Sequence, residues 1–415
     1  MDIIIGGGIS GLSYALFKHS DDYLVLEKEA ELGGYCRTTK RNNFVWDYSG
    51  HFFHFQDADI KHLIMESLCR QGEVVDVQKC TSIKYGELLV DFPFQKNIHQ
   101  LPKDEFIDCL VDLFAAKPTD YNSFKEMLYC KFGKSIAEKF LIPYNEKLYA
   151  CDLNKLDKDA MGRFFPYAEK EQIVLNFREA DNTSYNGSFS YPKGGAIQYV
   201  NEIVHQLKAG NIRTNCQVVS INLKEKQVVM QSGEVLSYNH LISTIPFPQL
   251  LKMAGVAYDE QCYSWNQVLV FNLGFDRPGP NNSSHWLYFP DKQYSFYRVG
   301  FYNNILGNRN SSLYVELGFN KDADINPSEY LGTVLHDLVR SGCISSSQVL
   351  QDYQAIVMNP AYVHITEDSL KDVADKKAML EQFGVYSIGR YGSWTYCSIE
   401  DNVKEARALA QQLNK

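Results

Sequence analysis

Gly6-Gly7-Gly8-Ile9-Ser10-Gly11 follows the apolar run Asp2-Ile3-Ile4-Ile5 and leads into Leu12 to His19, a stretch able to wind as a helix. A short apolar run that stops at glycine reads as a buried parallel strand. A second such run, Tyr23 to Leu26, closes on Glu27. Strand, glycine turn, helix, strand, acid is the order of a βαβ nucleotide-binding unit. Glycine clusters alone mark only tight turns, and it is the position between strand and helix that gives this one meaning. Gly6 permits the turn, Gly8 lets the backbone approach a pyrophosphate, and Gly11 allows the helix to pack closely on the strand. The phosphates belong at the helix start, beside Ile9 and Ser10, where main-chain N–H groups are unpaired. Glu27 lies 21 residues beyond Gly6, about where a carboxylate accepts hydrogen bonds from ribose hydroxyls.

Outward from this unit the pattern changes twice. Between about Pro102 and Phe165 the apolar residues Phe106, Leu110, Leu113, Phe114, Phe124, Leu128, Phe132 and Phe140 recur at helical spacing among charges. Gln217 to Ile221, Gln227 to Gln231 and His240 to Ile245 then read as strands, and from Val268 to about Leu317 runs rich in Tyr, Phe and Val predict a second sheet. A last strand (Val385 to Ile388), a glycine turn and a helix from about Asp401 end the chain. The expected fold is α/β: a Rossmann-type dinucleotide domain, discontinuous in sequence (1–75, 190–250 and 380–415), with a mainly helical insertion (76–189) and a second, substrate-binding sheet domain (251–379).

With 415 residues, more than one hydrophobic core is expected. A net charge of −9 argues against a general nucleic-acid surface. The ten Cys are scattered without metal-ligand spacing, as in a reduced cytosolic protein. No run approaches the ~18 apolar residues of a membrane span and no signal-peptide pattern opens the chain, so cytoplasmic residence without integral membrane contact is expected. The 27 Tyr and 24 Phe suit core filling and ring-stacking sites alike.

Shortly after the second strand comes Glu31-Leu32-Gly33-Gly34-Tyr35-Cys36-Arg37-Thr38. A glycine pair presses backbone close to something, and the arginine suits a phosphate or carboxylate. Here the chain resembles the amine oxidase and protoporphyrinogen oxidase superfamily of flavoproteins, in which a GG-x-x-RT segment follows the Rossmann unit and packs on FAD. The expected cofactor is therefore FAD. Asp47-Tyr48-Ser49-Gly50-His51-Phe52-Phe53-His54-Phe55 contains two histidines that lack a third metal ligand nearby. It is similar to the glycine-histidine loop beside the flavin ring in UDP-galactopyranose mutases, which implies that Gly50 and His51 lie at the isoalloxazine.

Further segments resemble the same mutase-like branch: Phe92-Pro93-Phe94-Gln95, Tyr144-Asn145-Glu146-Lys147-Leu148-Tyr149, Phe189-Ser190-Tyr191-Pro192-Lys193-Gly194-Gly195 and His285-Trp286-Leu287-Tyr288-Phe289-Pro290. Phe296-Tyr297-Arg298-Val299 is similar to a segment whose arginine reaches a substrate diphosphate; the bland alternative pairs Arg298 with an acid on the sheet. The C-terminal Gly389-Arg390-Tyr391-Gly392, continuing to Ser398-Ile399-Glu400-Asp401, matches the segment that closes over the flavin. The resemblance, covering essentially the whole chain, implies a cofactor set of Gly6, Gly8, Ile9, Ser10, Gly11, Glu27, Lys28, Gly33, Gly34, Arg37, Thr38, Gly50, His51, Val218, Gly389, Arg390, Ser398 and Ile399. It implies His51 and Arg298 as catalytic residues, and Tyr191, Tyr288, Tyr297 and Tyr396 as walls of a sugar pocket.

One departure stands out. Where the mutases bring a second arginine to the diphosphate, the matching position is Ser190, and Arg163 and Arg178 are the alternative cations. The resemblance implies an enzyme acting on a nucleotide-linked sugar through reduced flavin, with no net redox and with NAD(P)H only as reductant. The competing expectation is a net oxidoreductase of the amine oxidase or porphyrinogen oxidase type, and a third is a flavin-binding scaffold.

Overall fold

The structure, a computed structural model, describes residues 1–117, 120–182 and 187–414. Its first sheet is parallel and five-stranded, in the order Val385–Ser387, Leu241–Ser243, Asp2–Ile5, Tyr23–Leu26, Ile212–Arg213. Asp2–Ile5 and Tyr23–Leu26 are buried on both faces, which is why they read as unbroken apolar runs. The helix Ile9–Phe17 leaves the glycine turn and packs against the C-terminal helix Ile399–Leu413 and against Ile197–Val204. The two ends of the chain thus meet at the turn.

The second sheet has eight strands: Leu350–Met358, Ser264–Phe275, Ser312–Asn320, Arg298–Phe301, Trp286–Tyr288, Thr81–Tyr85 and Leu88–Asp91 in order, with Val363–His364 joining the end of Ser264–Phe275. Thr81–Tyr85 and Leu88–Asp91 correct the sequence reading, because both fall in the span expected to be mainly helical. Thr81–Ile83 adds in parallel to Trp286–Tyr288, a partner some two hundred residues away that no local pattern announces.

The helices Lys103–Ala115, Phe124–Ile136, Ile142–Tyr149 and Lys170–Asn176 also lie in that span. Leu113, Phe124, Leu128, Phe132 and Phe140 are buried as their spacing predicts, but Phe114 is exposed, with the Lys170 ammonium 6.0 Å above its ring. Among the described residues no helix is long and apolar enough to cross a membrane.

One carboxylate joins these parts. Asp47 ends the strand Phe44–Asp47, is fully buried, and accepts hydrogen bonds from Thr38 Oγ1 (2.5 Å), Tyr191 Oη (2.7 Å) and the Ala196 N–H (3.0 Å). Its main chain continues the connection: the N–H donates to Tyr302 Oη (3.2 Å) and the carbonyl accepts from Asn272 Nδ2 (2.8 Å). Asn272 belongs to the second sheet and Tyr302 begins the short helix Tyr302–Leu306 that follows its strand Arg298–Phe301, whereas Ala196 begins the helix under the nucleotide turn. Burial pushes the Asp47 carboxyl up to about 6 against these donors.

Removing the carboxylate strands three buried donors, so Asp47→Ala is expected to cost about 3 kcal/mol or more in urea unfolding. The native carboxyl holds its proton more tightly than the unfolded one, whose value is near 3.8. Wild type is therefore expected to lose stability relative to Asp47→Asn as pH rises from about 4 to about 6, a difference that unfolding midpoints across that range check.

Candidate functional site

Five glycines, Gly6, Gly8, Gly11, Gly33 and Gly34, shape one end of the site. Gly6 has φ +107°, and a Cβ there would lie 2.1 Å from Thr244 Oγ1. A Cβ on Gly11 would meet the Gly6 carbonyl at 2.1 Å, so the helix sits against the strand end as closely as its glycine permits. The Gly33-Gly34 pair packs on this turn. The Gly33 N–H donates to the Gly7 carbonyl (2.8 Å), and a Cβ on Gly34 would lie 3.5 Å from Gly8 Cα. Gly8 is the N-cap of the Ile9–Phe17 helix and offers no side-chain acceptor, which leaves the main-chain donors of Ile9 and Ser10 at an uncapped helix start. Glu27 reaches the same turn, its carboxylate accepting from the N–H groups of Gly7 (2.7 Å) and Glu29 (2.9 Å).

The C-terminal segment closes on it. Gly389 has φ +85°, and a Cβ there would fall 2.6 Å from Ser10 Oγ; Ser10 Oγ donates to Asn402 Oδ1 (3.0 Å), which also accepts the Arg390 N–H (2.9 Å). Gly8, Gly34 and Gly389 thus gather around the uncapped helix start, and their lack of side chains together with its main-chain donors suits a dinucleotide pyrophosphate.

The other predicted cofactor residues scatter around it. Lys28 points into solvent beside Glu29 (3.6 Å). Arg37 donates Nε to the Gly34 carbonyl (2.8 Å) and lies 4.9 Å over the Tyr48 ring, holding the glycine pair in place. Thr38 is committed to Asp47 and to the Ile197 N–H. Val218 is buried at the start of the strand Val218–Asn222, two residues after Cys216, whose N–H donates to the Glu27 carbonyl (2.8 Å).

Two adjoining cavities complete the site. The first, of about 150 Å³, has walls of Phe92, Phe140, Tyr144, Phe164, Phe165 and Tyr288. Asn145 also lines it, 3% exposed, its Oδ1 without a partner while its Nδ2 donates to the Leu141 carbonyl (2.6 Å). The second, of about 180 Å³, is bordered by Gly50, His51, Glu316, Arg390, Ser398 and Ile399. Phe164, Arg298, Tyr362 and Tyr396 line both, so the two share a wall that includes Arg298.

Arg298 is fixed before any ligand arrives. It stands opposite Glu316 on the neighbouring strand and donates Nε to Oε2 (2.7 Å) and Nη2 to Oε1 (2.8 Å). The guanidinium thus pairs with an acid on the sheet, as the bland alternative expects, and it lines both cavities as well. Glu316 is 1% exposed and also accepts from Ser49 Oγ, which ties the His51 loop to the same carboxylate. Gly50 must be glycine, since a Cβ would lie 2.6 Å from Tyr314 Oη.

His51 Nδ1 lies 3.2 Å from the Ser49 carbonyl, which can only accept, so Nδ1 carries the proton and Nε2 is an acceptor. Burial, then the Arg390 charge, pushes its pKa down to about 4, and the ring is neutral at pH 7. His54 Nδ1 likewise meets the Ser188 carbonyl (2.9 Å), and among the described residues no group of three His, Cys, Asp or Glu is arranged for a metal.

Three expectations change. Arg390, assigned to the pyrophosphate side, sends its side chain into the second cavity, donating to the Cys397 carbonyl with its guanidinium 5.1 Å over the Tyr396 ring. Tyr191 lines neither cavity, its hydroxyl being spent on Asp47. Ser190 also faces away and donates to Asp76, so a missing charge at that position leaves no gap in the pocket wall. Of the two alternative cations, Arg163 lines the first cavity and pairs with Asp401, whereas Arg178 is exposed on the turn after Lys170–Asn176. Glu316 and Tyr362 went unnoticed in the sequence; only strand register and chain return bring them to Arg298.

Comparison with known proteins agrees with this geometry. Residues 9–342 match the model of the flavin containing amine oxidoreductase family, and the chain belongs to that family. It is 23% identical over 252 residues to UDP-galactopyranose mutase of Mycoplasma pneumoniae (56% of this chain, 59% of that protein). It is 24% identical over 187 residues to protoporphyrinogen oxidase 1, chloroplastic, of Spinacia oleracea (42% and 33%). The chain thus spans less than two thirds of these relatives. In structure it is similar to a reduced UDP-galactopyranose mutase (TM-score 0.91, 24% identity, 99% of this chain and 93% of that one). It is also similar to a putative protoporphyrinogen oxidase from Exiguobacterium sp. 255-15 (TM-score 0.78, 15% identity, 100% and 98%). The chain is a flavoprotein, and its cofactor is FAD.

The glycines separate fold from cofactor. A Cβ on Gly8 meets nothing nearer than Gly34 Cα at 3.9 Å, whereas one on Gly11 collides with backbone. Gly8→Ala is expected to keep the melting temperature of the flavin-free protein and to lose flavin absorbance per chain. Gly11→Ala is expected to lower both.

Proposed function

We propose that this FAD-dependent enzyme acts on a nucleotide-linked sugar as a mutase that opens and recloses the sugar ring without net redox. The observation that carries the reading is the pair of adjoining cavities: an aromatic slot lined also by the unpaired Asn145 acceptor and by Arg298 and Arg163, and a polar chamber beside His51. A flat base fills the slot, with a donor of its ring available to Asn145 Oδ1. The diphosphate then lies at Arg298 and Arg163, and the sugar in the chamber.

Each residue has work that its setting suits. Arg298 keeps its planar fork on Glu316 and offers its remaining N–H groups to phosphate oxygens, so little ordering is needed when the ligand binds or the diphosphate departs. Arg163 lines the same slot from the helical side. When bound, the reduced flavin supplies the nucleophile for the anomeric carbon. His51, neutral and with Nε2 free to accept, orients a donor in the chamber without adding charge. The tyrosines Tyr288, Tyr297, Tyr362 and Tyr396 exclude water from that chamber and its approach. An amine substrate, cationic at neutral pH, is repelled by two arginines lining an aromatic slot, which weighs against an amine oxidase.

The test mixes the reduced enzyme with a panel of UDP- and dTDP-hexopyranoses and looks for furanose products. Product from at least one is expected. Absence of all, together with flavin reduction by an amine or a porphyrinogen, overturns the reading. In the same assay Arg298→Lys and Arg163→Ala are each expected to raise KM about tenfold or more, the weight of a charged hydrogen bond, while Arg178→Ala leaves it unchanged.

A further inference from the structure

The turn between Trp286–Tyr288 and Arg298–Phe301 folds around one ammonium. Lys147, on the helix Ile142–Tyr149, donates Nζ to the carbonyls of Phe289 (2.9 Å), Asp291 (2.9 Å), Tyr294 (3.0 Å) and Phe296 (2.5 Å). An ammonium has three protons, so four converging oxygens form a cage for a point charge rather than a set of single bonds. Without a cation those carbonyl dipoles oppose one another. The outer side of the turn is held as well. Asp337 accepts the Ser295 N–H (2.8 Å), and Arg340 donates to the Gln293 carbonyl and lies 4.9 Å over the Tyr294 ring.

The helix bearing Lys147 is seated on the strand that carries Glu316. A Cβ on Gly318 would lie 2.2 Å from the Lys147 carbonyl, and Asn266 Nδ2 donates to the Leu148 carbonyl. One turn earlier Tyr144 meets Tyr288 and Tyr297 edge-on, with ring centres 5.1 and 6.2 Å apart. One helix therefore lines the aromatic slot through Tyr144 and Asn145 and grips the turn whose exit is Tyr297-Arg298.

We propose that Lys147 is a positioning residue: its ammonium closes the 289–297 turn and so fixes where Arg298 presents its free N–H groups to a phosphate. The proposal rests on the reading of the cavity wall at Arg298 as a phosphate site. The physical need is geometric, because a misplacement of about 1 Å in a charged clamp is enough to cost orders of magnitude in rate.

The test compares flavin-loaded wild type with Lys147→Ala, which leaves room for a free ammonium ion. Amide exchange across residues 289–298 is expected to quicken about tenfold or more in the variant, with exchange elsewhere unchanged, and binding of UDP to weaken about tenfold. Ammonium chloride restores both, whereas sodium chloride at equal ionic strength does not, a contrast that screening alone cannot produce. Wild-type exchange in the turn of the variant overturns the proposal, as does loosening of the whole chain that ammonium fails to reverse. If Lys147→Ala does not fold, Lys147→Gln carries the same exchange comparison, with unaltered exchange again the refuting result. Should wild type itself not bind UDP while the exchange effect and its rescue hold, the nucleotide reading falls and the hold of Lys147 on the turn stands.

Discussion

The buried carboxylate of Asp47 is the constraint on which the arrangement of this molecule depends. A carboxylate removed from water must be met by donors, and its own come from three separate stretches: Thr38, Tyr191 and the main chain at Ala196. Meeting them brings the segment after the second glycine pair, the strand Ser188–Pro192 and the helix Ile197–Val204 to one point. The backbone of Asp47 then fastens that point to Asn272 and Tyr302 of the second sheet. The nucleotide turn and the second sheet are joined through this node, and the loop from Tyr48 to His51 leaves directly from it.

Charge in the cavities follows a similar economy. Arg298 is paired with Glu316 and Arg163 with Asp401, while Arg390 is held by the Cys397 carbonyl and the face of Tyr396. Pairing costs some attraction for an anion, but it sets the direction of each guanidinium in advance and leaves part of each fork available. His51 completes the balance by staying neutral among these cations, since burial and the Arg390 charge both oppose its protonation. Ser49 joins the two systems, for its hydroxyl reaches Glu316 while its carbonyl receives the His51 ring. A shift of the His51 loop is therefore felt at Arg298.

The readable parts of the sequence are those in which chemistry is local. Gly6, Gly11, Gly33 and Gly389 adopt conformations or approaches that a side chain forbids, and each is visible as a glycine at a fixed place relative to a strand or helix. Glu27 is readable because the length of a βα unit sets its distance from the turn. Arg298 was readable as a charged residue in an aromatic strand, but its partner was not: Glu316 is brought opposite by antiparallel register, which residue type does not encode. The alternation of Ser188–Pro192 decided that Tyr191 serves Asp47 and Ser190 serves Asp76, and which face of that strand meets the cavity depends on what packs on either side.

By itself, then, the chain determined a dinucleotide unit at its start and a second glycine pair pressed close, because steric exclusion and helix-end donors act within a few residues; the flavin and the returning C-terminal segment followed from the resemblance of its motifs to a family. Tertiary structure alone decided that Arg163 rather than Arg178 lines the aromatic cavity, that Thr81–Tyr85 and Leu88–Asp91 complete the second sheet, and that Lys147 sits at the centre of four carbonyls of a distant turn. Those outcomes depend on which surfaces remain to be buried once the local elements exist. Burial is a property of the whole packed chain, and no stretch of sequence holds it alone.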